Sequence, residues 1–381
     1  MRIVTDEKLK TILNGAKSRG ADALLVSDFE NSRNKNLRYL SGQPSDAHLV
    51  LFADGRMTLI VWDLIAAKQL AQVDEIIDVT LFDRSYRAAL VHVLKQKLGE
   101  RFTLEVLPDE RHFLVLQLQE AFPQAKFICK PDGAADDFIK ARMVKTPDEI
   151  AVLKEGAKVT NELIAAIKPF VKEHPGLREV DLALFLETEM KRRGAEGPSF
   201  ETLVANCRRS GMIHQVPPSS DAQLDLPGLA LVDFGLMWKG YATDVTVPLI
   251  FGKLTPDQQK ILDVNRQAYD LAIRRIKPGE AAHEIADAAI SCIEAAGLKM
   301  PYSLGHGIGL EVHDPPRLAR KPTDPELLKY WQEIRLTPGM VFTVEPGIVH
   351  ETLGGCRIEN DVVVTENGVD VITDSQPILF D

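Results

Sequence analysis

Short apolar runs bounded by turn residues organise the first 130 positions. Ala23-Leu24-Leu25-Val26 and Leu49-Val50-Leu51-Phe52-Ala53 read as buried strands. Asp54-Gly55 predicts a hairpin into Met57-Thr58-Leu59-Ile60-Val61. Between Ala89 and Leu98 the apolar residues fall at helical spacing, so this region is expected to be an α/β domain. Its histidines, His48, His92 and His112, stand alone, which suits core or solvated roles. The chain turns polar at Pro131-Asp132-Gly133, and 140–145 leads into a new helix. A linker is expected there, dividing the chain into domains 1–135 and 145–381.

The second part repeats itself. Thr146-Pro147-Asp148 opens a helical pattern closing at Ile167-Lys168-Pro169, and Thr255-Pro256-Asp257 opens another closing at Ile276-Lys277-Pro278. Each has an N-cap Thr, a Pro at the first helical position and a terminating Pro. A second amphipathic helix follows each, near 179–192 and 284–295, and then strands that carry acids. Leu231-Val232-Asp233-Phe234-Gly235 precedes Tyr241-Ala242-Thr243-Asp244-Val245-Thr246. Phe342-Thr343-Val344-Glu345-Pro346-Gly347 precedes Cys356-Arg357-Ile358-Glu359-Asn360. Val-Asp-x-Gly in one half is thus answered by Val-Glu-x-Gly in the other, each with a second acid 11 or 14 residues on.

A single acid in a β-like run belongs on the solvent side of an edge strand. Two symmetrical pairs are different, because buried carboxylates are costly unless paired or bound to cations. Four converging acids are best reconciled by an oxygen-rich site for two divalent ions. Ser303-Leu304-Gly305-His306-Gly307-Ile308-Gly309-Leu310-Glu311-Val312-His313-Asp314 lies between the two strand sets. The glycines around His306 allow close backbone approach to a ligand, and His313 follows on a strand or tight ribbon. Four carboxylates and one imidazole make a mainly hard site that suits Mn²⁺, with Zn²⁺, Co²⁺ or Fe²⁺ as competitors. Two such ions bridge a water and polarise a carbonyl.

Composition narrows the partners. With 45 Lys+Arg against 55 Asp+Glu the 381-residue chain carries a net charge of −10. That argues against nucleic acid and against an anionic membrane surface. The opening Met1–Glu7 stretch turns acidic before a signal peptide builds, and no apolar run is long enough to span a bilayer. The four cysteines (Cys129, Cys207, Cys292, Cys356) lack C-x-x-C spacing. A cytoplasmic enzyme is expected.

These residues resemble the M24 metallopeptidases, the pita-bread fold of methionine aminopeptidase, aminopeptidase P, prolidase and creatinase. The resemblance is strong over 145–381. It is weaker over 1–130, where Tyr39-Leu40-Ser41-Gly42 is similar to the N-terminal domain of the prolidase, aminopeptidase P and creatinase branch. It implies an α/β (α+β) chain, a creatinase-like N-terminal α/β domain followed by a duplicated pita-bread catalytic domain. The family's ligand order Asp, Asp, His, Glu, Glu falls on Asp233, Asp244, His306, Glu345 and Glu359. By the same resemblance His214 is the upstream active-site histidine, although its flanking pattern is altered, and His313 is the downstream one. Arg357 matches an arginine of the proline-specific branch, and Glu345 is both ligand and proton shuttle. Four residues before the metal His, proline-specific members commonly carry another His; here it is Tyr302, a phenol without positive charge.

The function implied is hydrolysis of Xaa-Pro dipeptides by a metal-bridging hydroxide. His214, Tyr302, His313 and Arg357 would line the substrate site, in a homodimer acting on small peptides. The alternatives are an Xaa-Pro aminopeptidase on longer peptides, or a metal-dependent C–N hydrolase or lyase of a small metabolite. The segment from Arg320 to Arg335, with a helical candidate at 324–334, either covers the pocket or packs on the surface.

Overall fold

A computed structural model describes residues 3–30, 32–44 and 46–380; the Met1-Arg2 start of the acidic opening lies outside them. The chain divides into two units, Met1–Arg142 and Met143–Asp381.

In the first unit the six-stranded sheet runs Glu75–Asp78, Met57–Val61, Ala47–Phe52, Ala23–Asp28, Thr103–Val106, Lys126–Ile128. Every residue of the three strands expected from the sequence is buried, because helices cover the sheet. Gly55, at φ 93°, makes the hairpin turn, and Phe52 pairs back to the Arg56 carbonyl at 2.9 Å. Helix Tyr86–Leu98 is capped by Ser85 and buries Ala89, Leu90, Val93 and Leu94 against Leu25, Val50 and Ile60. His48 lies in this interior, with Nδ1 2.7 Å from Ser27 Oγ between the rings of Phe29 and Tyr86. The segment before the division is a helix, Ala134–Met143. Its start is fixed by buried Glu105, which accepts from the Ala134 amide at 2.9 Å and from Arg19 at 2.8 Å.

The second unit contains two similar halves. Helices Pro147–Glu173 and Pro256–Arg275 both open on a capping box, Thr146 with Glu149 and Thr255 with Gln258. The first runs through Pro169, where the second stops before its Pro278. Pro169 lies on the solvent face, while Val171 beyond it is buried. Helices Glu179–Arg192 and Ala282–Ala295 follow.

Two sheets lie under these helix pairs. One runs Gly347–His350, Gly354–Arg357, Gly228–Phe234, Val245–Phe251, Ile378–Phe380. The other runs Asp314–Leu318, Gly305–Gly307, Val341–Val344, Asn360–Thr365, Gly368–Val371. Leu163, Leu186, Val232, Phe234 and Val247 form the core beneath the first helix pair. Ile261, Ala289, Phe342, Val344 and Val362 form the one beneath the second. Each fully buried side chain of this size contributes about 1.5–3 kcal/mol. These cores hold the sheets rigidly enough to aim polar groups between them.

Three expected strands are broken at their acids. Tyr241-Ala242 and Val245–Phe251 belong to different sheets, with Asp244 at the step between them. The chain crosses from Val341–Val344 to Gly347–His350 at Glu345, and from Gly354–Arg357 to Asn360–Thr365 at Glu359. Asp233 and His306 alone among the five lie inside strands.

The candidate helix at 324–334 shrinks to Pro325–Leu328. Asp324 caps it, yet Leu327 and Tyr330 are 61% and 81% exposed, and a short helix without a burial partner does not propagate. The segment packs along Ala282–Ala295, where Arg320 pairs with Asp287 and Glu294 at 2.7 Å and Trp331 meets His283 edge-on. No described helix is long and apolar enough to cross a membrane.

Candidate metal centre

Each step between sheets leaves a residue free of the ladder, and there the backbone turns a carboxylate inward. Asp244, His306 and Glu359 present ligand atoms within 4.8 Å of one another. His306 Nε2 is 3.4 Å from Glu345 Oε1 and 3.6 Å from Asp244 Oδ2. The His306 amide is held by Thr343 Oγ1 at 3.2 Å, and its Nδ1 is 3.1 Å from the Gly307 carbonyl. The second contact leaves Nε2 facing the acids.

The motif glycines serve close packing of backbone. A Cβ on Gly305 would lie 2.0 Å from the Thr343 carbonyl oxygen, and one on Gly307 2.0 Å from that of Pro315. The bare backbone at both positions lets strands meet there. In the Asp-x-Gly and Glu-x-Gly pair, a Cβ on Gly235 would lie 1.8 Å from the Thr243 oxygen, and on Gly347 1.5 Å from Tyr302 Oη.

Arg357 bonds Asp233 through Nη2, and its Nε donates to Thr246 Oγ1 at 2.7 Å. Thr246 in turn donates to Glu359 Oε2 at 2.6 Å. Burial, with the neighbouring acids Glu359, Asp233 and Asp361, pushes the Asp244 carboxyl well above its usual range. Burial and Glu359 do the same to Glu345, and burial with Asp233 raises Glu359 to about 7. Asp233 is raised by burial too, although Arg357 opposes this. His306 is pushed down to about 4 by burial and then by His313.

Asp233 Oδ1 and Asp361 Oδ1 are buried and have no hydrogen-bond partner. The acids thus outnumber Arg357, the guanidinium that bonds Asp233, and two of their oxygens lack donors. This donor set, four carboxylates and a neutral imidazole, fits divalent cations.

His313 lies against His306, ring centroids 4.2 Å apart and planes tilted by 58°, and burial followed by the charge of His214 pushes it down. His214 is exposed on the loop 206–220 and lies within electrostatic reach of Asp233 and His313. Tyr302 turns its hydroxyl inward: the oxygen is buried, lies over Gly347, and the Arg357 guanidinium is 5.9 Å from its ring. Burial holds this phenol above its ordinary range.

Three contributors escaped the sequence reading. Thr246 and Asp361 each stand two residues after an expected ligand, just inside the strand that follows it. Asp361 Oδ2 accepts from the Asp244 amide at 3.2 Å and so fixes the step between sheets. Arg317 pairs across the ribbon with His306, is exposed, and acts electrostatically on both His306 and His313.

The sequence pattern of Metallopeptidase family M24 matches residues 151–366, more than half of the chain, and that of the Creatinase/Prolidase N-terminal domain matches 8–132. The "Uncharacterized peptidase YqhT" of Bacillus subtilis (strain 168) is 30% identical over 97% of this chain and 98% of its own length. The Xaa-Pro dipeptidase of Pyrococcus horikoshii is 29% identical over 98% of each. The crystal structure of the prolidase from Pyrococcus horikoshii OT3 superposes with a TM-score of 0.84 at 26% identity, covering 98% of this chain and 100% of that one. With its creatinase-type first domain and an acid-and-histidine centre built from both halves of the second, this chain belongs to the M24 metallopeptidase family.

Proposed function

We propose that the protein is an Xaa-Pro dipeptidase whose ligands are Asp233, Asp244, His306, Glu345 and Glu359. The observation that carries this is the convergence of Asp244, His306 and Glu359 within 4.8 Å, with Glu345 3.4 Å from the same imidazole. The cofactor in this reading is a pair of divalent ions, and oxygen-rich ligands favour Mn²⁺ over Zn²⁺, Co²⁺ or Fe²⁺. Bound there, such ions would acidify a water and polarise the substrate carbonyl.

The chain's own residues do the rest. Glu345 takes the proton of the attacking water on a carboxylate oxygen and passes it to the departing proline nitrogen. His313, beside His306, is assigned to the substrate carbonyl, where it would steady the charge that develops on the oxygen. His214 assists from its loop, within electrostatic reach of Asp233 and His313. Arg357 keeps Asp233 and, through Thr246, Glu359 in place, so it acts by positioning. Exposed Arg317, opposite His306, is the cation placed to receive the free carboxylate of a dipeptide. Four free cysteines suit a reducing, cytoplasmic setting.

Hydrolysis of Ala-Pro, Ala-Ala and Ala-Pro-Ala by metal-stripped protein given Mn²⁺ tests the reading. Cleavage of Ala-Pro alone is expected. Cleavage of the tripeptide moves the assignment to an aminopeptidase, and cleavage of none, with metal bound, moves it to a small-metabolite C–N enzyme.

A further inference from the structure

Beyond Glu359 the chain passes between the two sheets once more, from Gly368–Val371 to Ile378–Phe380. The far end of this passage is pinned by pairing with Leu249–Phe251, where Phe380 stacks on Phe251 with ring centroids 4.6 Å apart. Within it burial alternates: Thr373 and Ser375 are buried, Asp374 and Gln376 exposed. An extended segment lying on an apolar core turns aliphatic side chains inward. This one turns two hydroxyls inward, and each has polar partners.

Both residues meet Asn360, the neighbour of Glu359. Thr373 Oγ1 donates to Asn360 Oδ1 at 3.1 Å, and the Ser375 amide donates to the same oxygen at 2.6 Å. Asn360 Nδ2 donates to the Ser375 carbonyl at 3.3 Å and to Tyr269 Oη at 3.0 Å. Both amide hydrogens and both lone pairs of this fully buried side chain are thereby used, which gives the passage one path.

From there the bonds run to two of the acids. Thr373 Oγ1 accepts from the Asp361 amide at 2.8 Å, and Asp361 Oδ2 accepts from the Asp244 amide at 3.2 Å. Ser375 Oγ donates to the Thr246 carbonyl, which also accepts from the Glu359 amide at 3.2 Å. A single residue therefore separates each hydroxyl of the passage from the backbone of Asp244 or Glu359.

We propose that Thr373 and Ser375 are positioning residues of the metal centre: the passage 372–377 sets the backbone at Asp244 and Glu359, so metal binding and docking of the passage are linked. This rests on the ligand set assigned above and adds two residues that act only through others. A looser passage leaves two carboxylates to be ordered when the ion binds, which weakens binding. By reciprocity, a bound ion tightens the passage.

The test is calorimetric titration of the metal-free protein with Mn²⁺, together with hydrogen exchange of the passage. Thr373→Val keeps the shape and removes both hydroxyl bonds, and its Mn²⁺ affinity is expected to fall about tenfold or more. Thr373→Ser keeps the hydroxyl and should recover most of that loss. Mn²⁺ should slow exchange of the 372–377 amides in wild type and slow it less in Thr373→Val. Ser375→Ala, which loses one hydroxyl bond, should weaken binding by a smaller factor and carries the test if Thr373→Val does not fold. A Thr373→Val protein that melts earlier yet keeps wild-type affinity and exchange response overturns the proposal. Equal losses in Thr373→Ser and Thr373→Val overturn it as well, because packing of the methyl group would then be the cause. Wild-type protein that binds no Mn²⁺ overturns the ligand set itself, and the proposal with it. Neither readout involves a peptide, so the proposal stands or falls apart from the choice of substrate.

Discussion

Thr246 Oγ1 donates to Glu359 Oε2 at 2.6 Å while accepting from Arg357 Nε at 2.7 Å, so one hydroxyl links a strand of the first half to an acid of the second. Thr246→Val keeps the volume and removes both bonds. Loss of such an orienting group costs metal affinity or activity about 10–100-fold. Titration of the metal-free variant with Mn²⁺, read by calorimetry, is expected to show it. An affinity within twofold of wild type would remove Thr246 from the centre's architecture.

The buried acids repel one another when no cation is present. Asp244→Ala and Glu359→Ala should lower metal content and reduce kcat/KM by roughly a thousandfold, the equivalent of several kcal/mol of transition-state stabilisation. In metal-free protein the sign of stability reverses: Asp244→Asn removes a repelling charge and should melt above metal-free wild type, yet below it once Mn²⁺ is added. Glu359, raised to about 7 by burial and Asp233, adds a pH signature. A carboxyl with a raised folded pKa stabilises fully below its unfolded value near 4.5, and that contribution is lost as pH rises through 7. Melting of metal-free protein between pH 4.5 and pH 7.5 checks it, and a melting profile that Glu359→Gln leaves unchanged would falsify this account.

Gly235 marks a close backbone approach. An added Cβ would lie 1.8 Å from the Thr243 oxygen and 2.4 Å from Ser199 Oγ, atoms fixed by the sheet. Gly235→Ala is expected to cost about 3 kcal/mol, lowering Tm by roughly 5–10 °C. Gly176→Ala is the control: its Cβ would meet nothing within 4 Å, so only the positive φ of 80° is penalised. Equal effects of the two substitutions would refute the steric reason.

His48 titrates in the opposite sense from Glu359. Burial, then the Arg111 charge, lowers its pKa to about 3, with Ser27, Phe29 and Tyr86 around it. A histidine depressed in the folded state contributes stability above its unfolded value near 6.5, and loses it as pH falls through 3. The size is on the order of 3–5 kcal/mol. His48→Gln should flatten the acid limb of the stability profile between pH 6.5 and pH 3, measured by urea unfolding at fixed metal content. An acid limb as steep as the wild type's would show that the proton is taken up elsewhere.

Some of this was readable one residue at a time. Thr146 and Thr255 with their prolines start helices because capping is local chemistry, and both starts lie where the spacing put them. The 324–334 helix failed for the complementary reason: periodicity predicts a helix only if something buries its face, and Leu327 and Tyr330 meet solvent. The boundary expected between 135 and 145 contains the division at Arg142/Met143, and the segment is helical because a distant residue, Glu105, starts a helix there.

The sequence by itself determined the helix pairs, the buried strands of the first unit, the internal repeat and the acids and histidines that carry the chemistry. Periodicity, capping and residue type are properties of neighbouring positions. Only the tertiary structure decided that Asp244, Glu345 and Glu359 stand at steps between sheets, and that Tyr302 faces Arg357 with a buried hydroxyl. It alone put Thr246 between Arg357 and Glu359, more than a hundred residues away. Which strands pair is settled by the burial of whole faces across the chain, and that sum is written at no single position.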